Sequence, residues 1–145
     1  MRGFMSTTLW LRISSVIALL FAAGHALGGM SDWSPVQDNP VIQAMRSEHF
    51  NVMGVSRSYL DFYRGFGNLL TVTQLLQAVL LWQFASLSRS HVAAVRPMIG
   101  VMVLAGAVSC VIVWSHIAPV PGVFSLVLLA SLTMAFVVSR RAAAA

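Results

Sequence analysis

Hydrophobic runs dominate the chain, and the charged residues lie mostly between these runs or near their ends. Four runs are long enough to cross a hydrocarbon core of about 30 Å, which takes roughly 20 residues per helix. They cover residues 9–27, 57–87, 98–117 and 122–139. The pattern predicts an all-α integral membrane protein, with an antiparallel four-helix transmembrane bundle and a single membrane domain over residues 1–145.

The polar stretch between the first two runs, residues 31–56, is predicted to be an outer loop. It opens on the turn-forming sequence SDWSPVQDNP. Asn39 followed by Pro40 is typical of a helix start, with an N-cap and then proline in the first turn. We therefore predict a short interfacial helix from Pro40 to about Phe50 in this first extracytoplasmic loop.

The second run begins with the polar sequence RSYLDFYRGFGN. At about 100° per residue, its polar side chains fall within an arc of roughly 80° if the helix already includes Arg57. These side chains belong to Arg57, Asp61, Arg64, Asn68 and Thr71. The sequence thus predicts a polar stripe at the head of an apolar helix, which places any chemistry at one edge of the membrane.

Composition excludes a soluble domain and a nucleic-acid-binding protein. The chain is 58% hydrophobic and 9% charged, with a mean hydropathy of +0.81, whereas soluble domains carry about 25% charged residues. The net charge is +5, but the nine basic residues are scattered along the chain, which argues against a nucleic-acid partner. Cys110 is the only cysteine, so neither an intrachain disulfide nor a thiol pair for a metal can form.

The arginines predict the orientation of the spans. One side of the predicted bundle carries only basic residues: Arg2, Arg12, Arg89, Arg96, Arg140 and Arg141. The other side carries the remaining three arginines and all four acidic residues. The positive-inside rule assigns the first side, and with it both termini, to the cytoplasm.

Three ionisable residues are candidate catalytic groups. His25 ends the first run on a face of small residues, His116 ends the third run, and Asp61 lies at the head of the second. Counting residues places all three at a similar outer depth, so we expect them to converge around one cavity open to the outer leaflet. Such a group is a typical setting for acid/base catalysis.

Other side chains at the same edge are candidate substrate-binding groups: Arg57, Arg64, Asn68, Tyr59, Tyr63, His49 and Glu48. A structural interpretation of the cluster stays open. Arg57 with Asp61 and Asp61 with Arg64 have the spacing of ion pairs on one helix. The two histidines can equally form capping hydrogen bonds at helix ends, and the tyrosines can anchor the interface.

The sequence contains no HExxH, Walker glycine loop, GxSxG or CxxC motif, so neither a metal nor another cofactor is predicted. Two alternatives remain. A four-helix bundle could hold a haem between His25 and His116. A metal could also be bound by His25, His49, His116 and Asp61.

The run EHFNVMGVSRSYLDFYRGFGNLL, together with GHALGG at the end of the first hydrophobic run, resembles a signature of small bacterial inner-membrane proteins with four predicted transmembrane helices. The residues that carry the resemblance are Gly24, His25, Trp33, Ser34, Pro35, Arg57, Ser58, Tyr59, Asp61, Phe62, Tyr63, Gly65, Phe66 and Gly67. It implies a multi-pass architecture and a location in the inner membrane, and no activity.

Three classes of function follow. The first is an enzyme that performs cofactor-free acid/base chemistry, such as isomerisation, cyclisation or hydrolysis, on a membrane-dissolved lipid or isoprenoid-like substrate. The second is a non-catalytic subunit or assembly factor of a membrane complex, with a homo-oligomer as a further possible assembly. The third is a small dimeric transporter, for which the apolar middle of the spans offers only Gln74 and Gln77.

Overall fold

The chain is mostly helical in the computed structural model, which describes residues 6–30, 39–117 and 119–143. It contains five helices and one hairpin over these ranges. In chain order they are α1 (Thr7–Met30), α2 (Pro40–Ser47), β1 (His49–Val52), β2 (Val55–Ser58), α3 (Tyr59–Leu87), α4 (Val92–His116) and α5 (Pro119–Ala143). The predicted turns within residues 31–38 lie outside the described residues.

Four of the helices, α1, α3, α4 and α5, are long and apolar enough to span a membrane. This confirms the four hydrophobic runs and indicates a multi-pass membrane protein. All four spans begin at other residues than predicted, and two of these differences affect the interpretation. The second span begins at Tyr59 rather than Arg57, and the third begins at Val92, five residues before Pro97. Pro97 is the sixth residue of α4, past its first turn, so it removes one backbone hydrogen bond of the helix. The turn before it carries Val95, which is fully buried.

Contacts group the chain into two compact units. Unit 1 contains residues Met1–Phe21 and Leu75–Ala145, and unit 2 contains Ala22–Gln74. Helices α1 and α3 each contribute to both units.

Unit 1 has a core of small and branched apolar residues with serines between the helices. Ser14 Oγ lies 2.8 Å from Ser131 Oγ, and Ser15 Oγ donates to the Ala78 carbonyl over 2.7 Å. Leucine and isoleucine side chains fill the rest of this core, while many other large apolar side chains point outward, such as Leu104, which is 69% exposed. Serines between the helices together with apolar side chains on the outside are typical of helices that pack in lipid.

The contacts in unit 1 run in opposite directions along paired helices. On α4 and α5, Gly100 faces Phe136 and Gly122 faces Trp114, so the end of α5 lies beside the start of α4. On α1 and α3, Thr8 Oγ1 lies 2.9 Å from Ser88 Oγ, and Arg12 lies over the Trp82 ring. Both helix pairs are therefore antiparallel within this unit.

Unit 2 contains the first part of α3 and the segment that precedes it. The predicted short helix is present as α2, and its predicted cap is confirmed, since Asn39 Oδ1 accepts from the Val41 N–H over 2.9 Å. It ends at Ser47 rather than near Phe50, because the chain then enters the antiparallel hairpin of β1 and β2. The pattern of hydrophobic and polar residues does not predict this hairpin.

The hairpin closes through a two-residue turn. Met53 has φ of 51° and Gly54 has φ of 84°. Two consecutive positive φ values characterise the type I′ turn, whose twist matches that of the flanking strands. Asn51 Oδ1 accepts from the Gly54 N–H over 3.0 Å, which further fixes the turn.

Candidate functional site

A groove of about 390 Å³ runs along the first part of α3 in unit 2. Its polar end is formed by Arg57 and Asp61. The remaining lining residues are Phe62, Gly65, Phe66 and Leu69. These residues lie on one face of the helix, because positions separated by three or four share a face. The groove therefore joins a charged end to an apolar body.

Asp61 is held at the polar end by the start of α3. The Ser58 N–H donates to Asp61 Oδ2 over 3.2 Å, and the Asp61 N–H donates to Ser58 Oγ over 3.1 Å. This reciprocal pair is a capping box, which satisfies N–H groups that have no partner within the helix. The sequence carries its signature, SYLD, from Ser58 to Asp61.

Arg57 reaches this site from a strand, which corrects the predicted helical stripe. It lies in β2, so Arg57 and Asp61 are not an i,i+4 pair on one helix. Arg57 donates through Nη1 to the Ser56 carbonyl over 3.0 Å. Both Arg57 and Asp61 nevertheless line the groove. The hairpin rather than the helix therefore brings Arg57 to the groove that Asp61 lines.

His49 is the histidine that lies opposite the cap of α3 in the hairpin. It is the first residue of β1 and pairs across the hairpin with Ser58, the residue that caps α3. Its Nδ1 lies 2.8 Å from the Ser47 carbonyl, which can only accept, so Nδ1 carries a proton. In the neutral ring Nε2 is then the acceptor.

Aromatic rings fix the hairpin against α3 and extend into the groove. The Phe50 ring centroid lies 4.8 Å from that of Tyr59 and 5.6 Å from that of Phe62. Phe62 in turn makes an edge contact with Phe66 at 4.9 Å. Such pairs add stability beyond area burial. They connect the strand that carries His49 to the apolar wall of the groove.

His25 lies on a different face of α3 from the groove. Its Nδ1 lies 2.9 Å from Thr71 Oγ1, and Gly67 leaves room for its ring. Positions 67 and 71 point roughly opposite to the groove-lining positions at 100° per residue, and residue 67 is about 9 Å beyond Asp61 along the axis. The structure thus does not bring His25 to Asp61.

His116 is the last residue of α4 and belongs to unit 1. It is exposed, and its Nδ1 lies 3.2 Å from the Ile112 carbonyl of its own helix. This is the helix-end hydrogen bond that the structural interpretation expects. The convergence of His116 with the groups of unit 2 stays a prediction.

The other candidate binding residues lie around the groove without lining it. Glu48, Arg64 and Asn68 are exposed, and Tyr59 and Tyr63 are about half-exposed. Glu48 has a structural role through its backbone, since its carbonyl accepts from the Tyr59 N–H over 3.4 Å. This hydrogen bond ties the end of α2 to the start of α3.

The described parts of the chain contain no group of three or more His, Cys, Asp or Glu side chains that could hold a metal ion. The alternative of a four-ligand metal site therefore gains no support. Comparison with known proteins gives no function either, since the chain matches no protein-family model, no curated protein and no solved structure.

Proposed function

We propose that the chain binds a membrane-dissolved, lipid- or isoprenoid-like molecule in the groove on α3. The single observation that supports this is the combination of Arg57 and Asp61 at one end with Phe62, Phe66 and Leu69 along the body. An amphipathic molecule would place an anionic or oxygen-bearing group beside Arg57 and its apolar part along the rings. Binding sites of this kind are mostly apolar with a few oriented polar groups.

The chemistry we propose is acid/base catalysis on this molecule, as isomerisation, cyclisation or hydrolysis. We assign the proton-transfer roles to Asp61 and His49, in place of the predicted pairing of Asp61 with His25 or His116. Asp61 lines the groove, and His49 pairs across the hairpin with Ser58, whose N–H donates to Asp61. A carboxylate and an imidazole held at the polar end of an apolar groove are suited to opposite proton-transfer roles.

We further propose an antiparallel four-helix bundle in a bacterial inner membrane, with α2 at the outer interface and both termini in the cytoplasm. The antiparallel contacts within unit 1 and the arginine distribution support this arrangement. The groove would then lie at the outer edge of the membrane.

Lipid retention by the purified protein tests the binding proposal. The full-length protein is extracted in mild detergent, and co-purified lipids are identified by mass spectrometry. Gly65→Leu should fill the groove and remove the bound molecule, because a Cβ at Gly65 meets no atom within 4 Å and the side chain can enter the open space. Gly24→Leu is the matched control, since its Cβ is also unobstructed. Equal lipid retention by both variants would disprove the groove assignment.

Substitutions of Arg57 and Asp61, at the polar end of the groove, test lipid binding and lipid conversion separately. Arg57→Gln should weaken retention, whereas Arg46→Gln, an exposed arginine on α2, should not. Incubation of the wild type with a membrane lipid extract should convert one lipid to a new product. Asp61→Asn should retain the lipid without converting it. If Asp61→Asn forms as much product as the wild type, Asp61 is not the acid/base group.

A second candidate, a non-catalytic subunit or assembly factor, is favoured by the tip of the hairpin. Met53 is fully exposed there, and the neighbouring Val52 and Val55 are nearly half-exposed. An apolar patch outside the helices suits a partner protein. Met53→Ser with Val55→Thr should release a co-purifying partner while leaving lipid retention intact. Unchanged partner binding would remove this candidate.

A further inference from the structure

Three arginines of unit 1 lie over aromatic rings. Arg12 Cζ is 4.5 Å from the Trp82 ring centroid. Arg96 Cζ is 5.4 Å from the Phe136 centroid, and Arg140 Cζ is 5.0 Å from the same centroid. A cation over a ring is attracted by the ring's electron density, and the contact stiffens a long side chain. Phe136 therefore positions two guanidinium groups from two different helices.

These arginines lie at one end of unit 1. The start of α1 contacts the end of α3 through Thr8 and Ser88. Helix α4 begins immediately after this turn, and Gly100 near its start packs against Phe136 of α5. The candidate span of α5 ends at Arg140 itself. The guanidinium groups thus lie at the ends of membrane-spanning helices, which is the level of lipid headgroups.

The positive charge at this end is not balanced by acidic side chains of the same unit. Residues 1–21 and 75–145, which make up unit 1, contain neither Asp nor Glu. Two like charges near one ring repel each other, and an anion close to both would offset this repulsion. Arg96 Nε is buried without a hydrogen-bond partner among the described residues. An anion can therefore reach Arg96 only through the rest of its guanidinium group.

We propose that Arg96 and Arg140, positioned by Phe136, bind the phosphate of an anionic phospholipid. Guanidinium groups recognise phosphate through paired N–H donors. Val137, one turn from Arg140 on α5, is 40% exposed and offers an apolar surface to an acyl chain. Basic sites between helices near the headgroup level are suited to anionic lipids. This site belongs to unit 1 and is independent of the groove in unit 2.

A lipid titration tests the site. The full-length protein in neutral detergent is titrated with phosphatidylglycerol or phosphatidylcholine, and native mass spectrometry counts the bound lipid molecules. The wild type should bind phosphatidylglycerol in preference to phosphatidylcholine. Arg96→Gln and Arg140→Gln should each weaken phosphatidylglycerol binding about tenfold, as expected for loss of one charge-assisted hydrogen bond. Arg89→Gln, an exposed arginine in the turn before α4, is the control and should bind as the wild type does.

Arg140→Gln guards against a folding defect, because Arg140 is exposed whereas Arg96 is partly buried. Equal binding of the two lipids, or an equal loss in Arg89→Gln, would overturn the proposal in favour of general charge attraction. Inorganic phosphate at millimolar concentration is then added as a competitor. If the protein no longer prefers phosphatidylglycerol over phosphatidylcholine, the lipid assignment is overturned and the ligand is a soluble phosphate. Full binding by both Arg96→Gln and Arg140→Gln would also overturn it.

Discussion

Ser58 and Asp61 each accept a hydrogen bond from the other's backbone N–H, over 3.1 and 3.2 Å. This exchange begins α3 and at the same time orients the carboxylate at the polar end of the groove. Asp61 therefore both stabilises the start of α3 and contributes to the candidate site. Loss of activity alone would not separate these two roles, so stability must be measured as well.

Asp61→Asn should separate these two roles. An amide oxygen can still accept from the Ser58 N–H, so we expect the melting temperature in detergent to stay near that of the wild type. The charge is lost, so any activity should be abolished. Ser58→Ala should instead lower stability by about 1 kcal/mol through loss of the cap, and Ser56→Ala on the exposed part of β2 is its control. A strong drop in melting temperature for Asp61→Asn would show that the charge itself stabilises the fold.

The hairpin turn should respond to substitutions according to its positive φ values. Gly54→Ala places a side chain at φ of 84° and should destabilise the hairpin by about 1 kcal/mol. Met53→Asn should stabilise it, because asparagine tolerates the left-handed region better than methionine. Hydrogen exchange of the β1 and β2 amides measures both effects. Faster exchange in Met53→Asn would contradict the turn geometry.

Gly122 should be intolerant of any side chain. A Cβ there would lie 2.7 Å from Trp114 Cε2, and the Trp114 Nε1–H donates to the Gly122 carbonyl over 3.2 Å. The indole is rigid and must shift, so Gly122→Ala should destabilise the α4–α5 pair by about 1–3 kcal/mol. Thermal unfolding in detergent measures the change. Gly24→Ala, whose Cβ meets nothing within 4 Å, is the control and should have little effect.

The proposed orientation predicts which loops an impermeant thiol reagent can reach in intact cells. In a Cys110→Ser background, His91→Cys lies in the α3–α4 turn and should react only after the membrane is opened. Met53→Cys at the hairpin tip should react from outside without permeabilisation. Labelling of position 91 in intact cells would reverse the orientation.

The long helices could be predicted from sequence because hydrophobic runs of span length have few other solutions. The hairpin could not, since its turn residues are Met53 and Gly54 rather than the usual Asn-Gly, and its strands are only four residues long. Because the residue pattern does not reveal the hairpin, it assigns Arg57 to the helix rather than to β2. The SYLD signature at residues 58–61 was the available signal for the true start of α3.

Residue counting places His25 in the last part of α1, where the structure also has it. The position of a residue along its own helix does not determine which face of a neighbouring helix its side chain contacts. Contact with Gly67 and Thr71 puts His25 away from the groove. His49 lies opposite Ser58, which caps α3, because of the register of the hairpin. This register cannot be predicted unless the turn is identified first. The contact of Arg96 and Arg140 with the Phe136 ring likewise depends on how α4 packs against α5. The residue pattern of one helix does not determine that packing.

The serine contact between α1 and α5 has three short distances but only two protons. Ser14 Oγ lies 2.9 Å from the Trp10 carbonyl, Ser131 Oγ lies 2.9 Å from the Leu128 carbonyl, and the two hydroxyls lie 2.8 Å apart. Each hydroxyl has one proton, so only two of these three hydrogen bonds can exist at any moment. If the helices move apart here, both hydroxyls return to their own helix and the number of hydrogen bonds stays at two. The contact can therefore open and re-form, or reverse its direction, with no net loss of hydrogen bonding, so the two serines link α1 to α5 without adding a hydrogen bond to those that each can make on its own helix.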